Sequence, residues 1–223
     1  MEKLSLVVAT RGRPDKLMKM LRSVPDSWEV FVCCDADTIS AQLATDYLTL
    51  RPGGQRWYVH TTKAHCGSIA CRNLLTPLPT GGLLYGTDDI TFTEAASSLM
   101  AYYNELTGKM SHATGHNLND DICLGLKQTG HHHPTGVALL GRRFVSRYPG
   151  RQVFFPGYWH FGAAEVGRLA EATGRLATTP WLAVRHASRA DHSDRTSVDA
   201  RKHHSRDAAL KEERIREGLI WGS

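Results

Sequence analysis

The chain has 223 residues, 41% of them hydrophobic and 22% charged, with a formal net charge of +5 and a pI near 9.0. That is enough to bury one sizeable core in a soluble globular domain, and no apolar run approaches the roughly 18 residues a membrane helix needs. The five cysteines (Cys33, Cys34, Cys66, Cys71 and Cys123) are odd in number and show no C-x-x-C pair, so they indicate neither a disulfide framework nor a zinc ribbon. The amino terminus passes at once into a strand-like run without a signal peptide's long apolar stretch, so a cytoplasmic protein with reduced thiols is expected. The positive surplus is compatible with a polyanionic partner, and nucleotide phosphates alone would account for part of it.

Leu4 to Ala9 is a continuous apolar run, the pattern of a strand buried on both faces. Pro14 then suits the first turn of a helix whose Leu17, Met20, Leu21 and Val24 share one face. Glu29 to Cys34 reads as a second strand, Ser40 to Leu50 as a helix, and Arg56 to His60 as a third strand after an Arg-Pro-Gly-Gly turn. A short helix over Gly67 to Leu75 follows, then a Pro/Gly turn and the strand-like stretch Leu83 to Phe92, then an amphipathic helix over Ala95 to Leu106. Strand alternating with helix from the first residues predicts a mostly parallel α/β sheet flanked by helices. Beyond Gly108 the pattern loosens: His112 to His133 reads as irregular surface. Val137 to Leu140 suits a strand, Gly162 to Thr173 a helix ended by Gly174, Thr178 to Arg185 a last strand, and Asp207 to Trp221 a helix. No repeat or long flexible linker divides the chain. One domain is expected: residues 1–95, then a smaller half at 96–186, then a basic helical tail at 187–223.

Within Leu83 to Phe92, Gly86 marks a bend or close approach, and Thr87-Asp88-Asp89 places two adjacent carboxylates at a strand's carboxyl end. Adjacent acids repel unless water or a cation screens them, and Mg²⁺ or Mn²⁺ takes few carboxylates with water and phosphate completing its shell. Three further features precede that pair in order. They are Thr10-Arg11-Gly12-Arg13-Pro14 after strand one, Asp35 with Asp37 after strand two, and His65-Cys66-Gly67-Ser68-Ile69-Ala70-Cys71-Arg72-Asn73. Asp35 can accept from an imide N–H, and Thr10, Arg11 and Arg13 offer donors for a base and its phosphates. Arg72 suits a diphosphate, a brace on Asp88, or a structural salt bridge.

In this order the motifs resemble the nucleotide half of GT-A-fold glycosyltransferases, in particular the inverting family two class. The resemblance covers about the first 95 residues well. It implies a UDP-sugar donor, an Asp35 that reads the uracil edge, and a divalent cation on the acidic pair. Either Asp89 is the direct ligand with Asp88 on ribose or a metal-bound water, or the register is one residue earlier. Trp159 to Leu169, ending at Gly174, resembles the helix that carries the catalytic base of that class. Glu165 is the carboxylate at its start, as base or as helix cap, while one alignment puts the base position on Ala163. His186, after Trp181-Leu-Ala-Val-Arg, matches the histidine that returns to the metal.

The chain also looks like compact phage enzymes of this type that glycosylate 5-hydroxymethyl pyrimidines in DNA, which implies DNA as acceptor and a host-cytoplasm location. The tail carries Arg185, Arg189, Arg195, Arg201, Lys202, Arg206, Lys211, Arg214 and Arg216 among His192, His203 and His204. Asp191, Asp194, Asp199, Asp207, Glu212 and Glu213 partly offset them, so a solvated helical face stands beside a nucleic-acid surface. Tyr148, Phe154, Phe155, Tyr158 and Trp159 would stack on an extruded base, pack the core or bind a sugar. His131 to His133 suits a solvated loop or an adventitious metal, and Asp120-Asp121 is a reserve candidate for base or acceptor contact. Three rival readings are a glycan or protein acceptor, a sugar-phosphate nucleotidyltransferase (disfavoured by the single Gly after strand one) and a non-catalytic nucleic-acid-binding module.

Overall fold

The computed structural model describes residues 3–130, 133–186 and 195–223. Among the sequence candidates, His131, His132, Arg189, Asp191, His192 and Asp194 lie outside the described residues, as does the Arg195 side chain. The elements run β1 (Leu4–Thr10), α1 (Pro14–Arg22), β2 (Glu29–Cys34), α2 (Thr38–Thr49), β3 (Trp57–Thr61), α3 (Ser68–Leu75), β4 (Gly82–Thr87) and β5 (Ile90–Phe92). They continue through α4 (Leu99–Thr114), β6 (Cys123–Gln128), β7 (Ala138–Leu140), a short α5 (Arg142–Val145), α6 (Gly162–Ala172), β8 (Leu176–His186) and α7 (Arg195–Arg216). The strands form one eight-stranded sheet in the order β3-β2-β1-β4-β7-β6-β8-β5.

β1 pairs in parallel with both β2 and β4, and β2 with β3, so the amino-terminal half is the parallel sheet its apolar runs predict. Successive side chains of β1 enter opposite layers. Leu6 and Val8 join Leu17, Met20 and Leu21 of α1, while Val7 and Ala9 join Ile69, Cys71 and Leu75 of α3. The second half is mixed: β7 is antiparallel to β4 and β6, β8 is parallel to β6, and β5 is antiparallel to β8.

Three elements depart from the expected pattern. α4 runs through Gly108 and stops at Gly115, whose φ of 69° gives the left-handed turn that ends helices. Residues 123–128, expected as irregular surface, form inner strand β6, because Cys123, Leu124 and Leu126 are buried within the sheet. α7 begins well before Asp207; no Gly or Pro interrupts residues 195–217, and Gly218 at φ 68° follows its end.

The tail is fastened to the body by Glu165, which is fully buried in α6. Its Oε1 accepts from Arg214 Nε at 2.7 Å and the Tyr158 hydroxyl at 3.0 Å, and its Oε2 from the Trp221 N–H at 3.1 Å. Arg214 also lies over the Phe155 ring, 3.7 Å from its centroid. A carboxylate enclosed in this way has no path to an acceptor hydroxyl, so the base role expected of Glu165 is replaced by a structural one. Burial alone would raise its carboxyl, but Arg214, the Trp221 N–H and Tyr158 outweigh that and hold it below its ordinary value. Because the folded value is depressed, this stabilisation is fully present above about pH 4.5 and is lost as the pH falls through the folded value. Glu165→Gln strands the Arg214 charge and is expected to cost about 3 kcal/mol in urea unfolding, with residues 198–223 becoming protease-sensitive. Unchanged stability with turnover abolished would restore the base role.

Candidate functional site

The parallel strands β1, β2 and β4 all end at one edge, and Thr10, Asp35 and Thr87-Asp88-Asp89 lie there. That edge is where open α/β sheets bind ligands. Gly86 lies close against Ile90: a Cβ there would meet Ile90 Cδ1 at 2.9 Å, so a larger residue would displace that side chain. β5 then pairs with β8 so that Ile90 faces His186, and this register brings an imidazole from far along the chain to the acidic turn.

The two acids have different surroundings. Asp88 is 3% exposed; its Oδ2 accepts from the Thr10 hydroxyl at 2.7 Å and its Oδ1 from Arg13 at 2.9 Å. Burial pushes its pKa up to about 6 against the pull of Arg13. Asp89 lies 3.5 Å from Arg13 through Oδ2, while its buried Oδ1 has no hydrogen-bond partner and is 3.8 Å from His186 Nε2. Burial would raise Asp89 too, but His186, the Thr87 hydroxyl, Arg13 and its own backbone N–H together outweigh it and hold the carboxyl below its ordinary range. One open carboxylate oxygen and one imidazole nitrogen are a donor set that suits Mn²⁺ or Mg²⁺.

Arg72 is 7% exposed, stacks over Phe154, and makes no ion pair within 4.0 Å among the described residues. Its Nε is buried without a partner, and burial lowers its pKa against the nearby charges of Tyr85, Asp88 and Asp89. The structural salt bridge weighed for it is therefore absent among the described residues, and a buried cation faces the acidic turn with donor capacity to give.

Beside this cluster is a half-open cavity lined by Thr10, Arg11, Asp35, His65, Trp159 and His160 and walled by Asp199 and Ala200 of α7. Asp35 accepts from Thr62 at 3.2 Å, the Cys66 N–H at 2.9 Å, the Gly67 N–H at 3.0 Å and His65 Nδ1 at 2.5 Å. An imide N–H has to displace one of these, and the Thr62 hydroxyl is the longest. The Cys66 and Cys71 sulfurs lie 3.5 Å apart next to Asp35, and burial pushes the Cys66 thiol up to about 12, so it stays protonated at neutral pH. Asp37 is not in the cavity; it caps α2 through Ser40 and receives the Gly12 N–H. Gly67, at φ 89°, leaves room for the Trp159 ring, which a Cβ would meet at 2.8 Å.

Local sequence did not indicate the role of Asp199. Its carboxylate accepts from Arg11, lies 3.3 Å from His65 Nε2, and lies 3.4 Å from Lys202. Asp207 is buried and receives the Trp159 and His160 N–H groups at 2.9 and 2.7 Å. Of the five aromatic candidates, Tyr148, Phe154 and Tyr158 are core residues and Phe155 packs on Trp221; Trp159 lines the cavity, with His203 stacked on it. The reserve acids are structural: Asp121 is buried between Arg147 and Arg175, and Asp120 pairs with Arg142.

No protein-family model matches the sequence, and no curated protein matches it significantly. Solved structures do match. Mannosyltransferase PcManGT from Pyrobaculum calidifontis, in complex with GDP-Man and Mn²⁺, is 13% identical with a TM-score of 0.69, over 98% of this chain and 65% of that one. TarS 1–349 of S. aureus with UDP-GlcNAc is 13% identical with a TM-score of 0.66, over 89% and 61%. GalNAc-T7 with UDP, GalNAc and Mn²⁺ is 14% identical with a TM-score of 0.63, over 86% and 45%. The chain has the GT-A fold. It spans 65% or less of the length of these glycosyltransferases.

Asp89→Asn and His186→Ala are each expected to weaken Mn²⁺ binding, measured by electron paramagnetic resonance titration, by at least about tenfold. Unchanged affinity in both variants would remove this pair as a cation site.

Proposed function

We propose that the protein is a metal-dependent glycosyltransferase that moves a hexose from a nucleoside diphosphate sugar, a UDP-sugar first, to an acceptor hydroxyl with inversion. The observation that carries this reading is the unpartnered, buried Asp89 Oδ1 beside His186, with Arg13 and Arg72 behind it at the open end of parallel strands. The Mn²⁺ and sugar nucleotides bound by the structural neighbours support the same chemistry here.

Asp89 and His186 would hold the cation, Mn²⁺ or Mg²⁺, which would supply charge to offset that growing on the departing diphosphate. Asp88 orients Thr10 and Arg13; both of its oxygens already accept bonds, which favours Asp89 over Asp88 as the direct ligand. Arg72 directs its free Nε to the same diphosphate, as a preorganised donor in a dry site. Asp35 and the 65–67 loop receive the base, and Arg11 lines the same cavity beside them.

The acceptor this reading puts first is 5-hydroxymethylcytosine in phage DNA. The support is local: Arg201, Lys202 and Arg206 are exposed on α7, one to six residues beyond the cavity-lining Ala200. Such a stripe suits a phosphate backbone and makes binding salt-dependent. None of the helices is long and apolar enough to cross a membrane among the described residues.

UDP with Mn²⁺ at about 100 times its Kd is expected to stabilise the fold by about 2.7 kcal/mol. Arg72→Gln should lower turnover about 100-fold. Competing hydroxymethylated DNA, unmodified DNA and simple glycans in one UDP-sugar assay assigns the acceptor. Tight duplex binding with no effect of UDP would instead make the protein a non-catalytic nucleic-acid-binding module.

A further inference from the structure

A single-displacement sugar transfer needs a proton acceptor at the attacking hydroxyl. Neither α6 position carries one into the cavity, because Ala163 has no basic group and Glu165 is sealed against Arg214. Four side chains with a basic lone pair line the cavity: Asp35, His65, His160 and Asp199. Asp35 already accepts from Thr62, His65, Cys66 and Gly67. His65 has Nδ1 on Asp35 and Nε2 beside Asp199, and Asp199 is held by Arg11 and Lys202.

His160 differs from the other three. Among the described residues its hydrogen bond is made by its backbone N–H, to Asp207, which leaves the ring uncommitted in the cavity wall. Asp207 also takes the neighbouring Trp159 N–H, so a buried carboxylate fixes the loop that carries the imidazole. The charged groups around the ring are Arg72 of α3, Asp207 of α7, Arg13 of the β1–α1 loop and Asp89 of the β4–β5 turn. His160 lines the same cavity as Thr10, Arg11 and Asp35. The side chain is solvent-exposed on that wall, where an acceptor can reach it, and local desolvation first, then the Arg72 charge, set its pKa below the ordinary histidine range.

We infer that His160 is the general base: its ring nitrogen takes the proton of the acceptor hydroxyl as that oxygen attacks the anomeric carbon. The acceptor O–C1 bond forms, the bond from C1 to the diphosphate oxygen breaks, and the electron pair leaves with the nucleoside diphosphate. The proton stays on the imidazole until it is released to solvent. This deepens the glycosyltransferase reading and rests on it; Asp207 is the positioning residue.

The test measures nucleoside diphosphate release from UDP-glucose, UDP-N-acetylglucosamine and GDP-mannose with Mn²⁺ in wild type, His160→Gln and His160→Ala. It is run with hydroxymethylated duplex DNA and without it, where water takes the place of the acceptor. UDP affinity in Mn²⁺ is followed in parallel by thermal shift, which also reports whether each variant folds. Turnover is expected to fall about 10²- to 10⁴-fold while UDP affinity stays within about threefold. The acid limb of the wild-type pH–rate profile should vanish from the residual His160→Gln rate, and added imidazole should restore part of the His160→Ala rate. Turnover within about threefold of wild type in either variant overturns the assignment, as does a loss of turnover matched by an equal loss of UDP affinity. A wild type that binds UDP and Mn²⁺ but loses turnover only in Asp199→Asn moves the base to Asp199. A wild type that binds no sugar nucleotide overturns the donor reading itself, and this inference with it.

Discussion

Two adjacent carboxylates, one buried and one half-buried, are unstable alone, and the molecule depends on how their charge is met. Asp88 is met inside the protein, by Thr10 and Arg13. Asp89 is met partly by Arg13 and otherwise faces His186 with an open oxygen. That asymmetry comes from the pairing of β5 with β8, which sets Ile90 opposite His186. A slip of one residue would turn the imidazole to the other face of the sheet and leave Asp89 with Arg13 as its close cation. The register of a three-residue strand thus sets the electrostatics of the whole edge.

The second constraint is the tail. α7 crosses the mouth of the cavity with Asp199, grips the loop before α6 with Asp207 and anchors through Arg214 on Glu165. One helix therefore serves three tasks along its length. The exposed Arg201, Lys202 and Arg206 lie between the first two of these contacts, so the polar surface beside the cavity is part of the same rigid element.

Much of the amino-terminal half was legible locally. β1 and β2 are apolar runs because both of their faces are covered, α1 starts at a proline, and the turn after β4 carries acids between apolar neighbours. The assembly of Thr10, Arg13, Asp88, Asp89 and His186 at one edge follows from strand order. The rest depended on distant partners. β6 follows a polar loop that masks its apolar run Ile122 to Leu126, and its burial is completed by the strands on either side. Glu165 has the sequence of a helix-start acid, and only Arg214 and Trp221 make it an anchor. Asp199 sits among tail charges that look solvated, yet its partner Arg11 is 188 residues away. His160 resembles any loop histidine until Asp207 fixes its backbone.

The buried Asp207 has a consequence for biosynthesis. The sheet edge with its acids is encoded by the first 92 residues and His186, but the wall facing it is held by a side chain translated later still. Until residue 207 is made, the Trp159 and His160 N–H groups lack the carboxylate that receives them in the folded chain. A truncated chain that lacks residue 207 would therefore carry Asp88 and Asp89 without the Trp159–His160 loop held in place across from them.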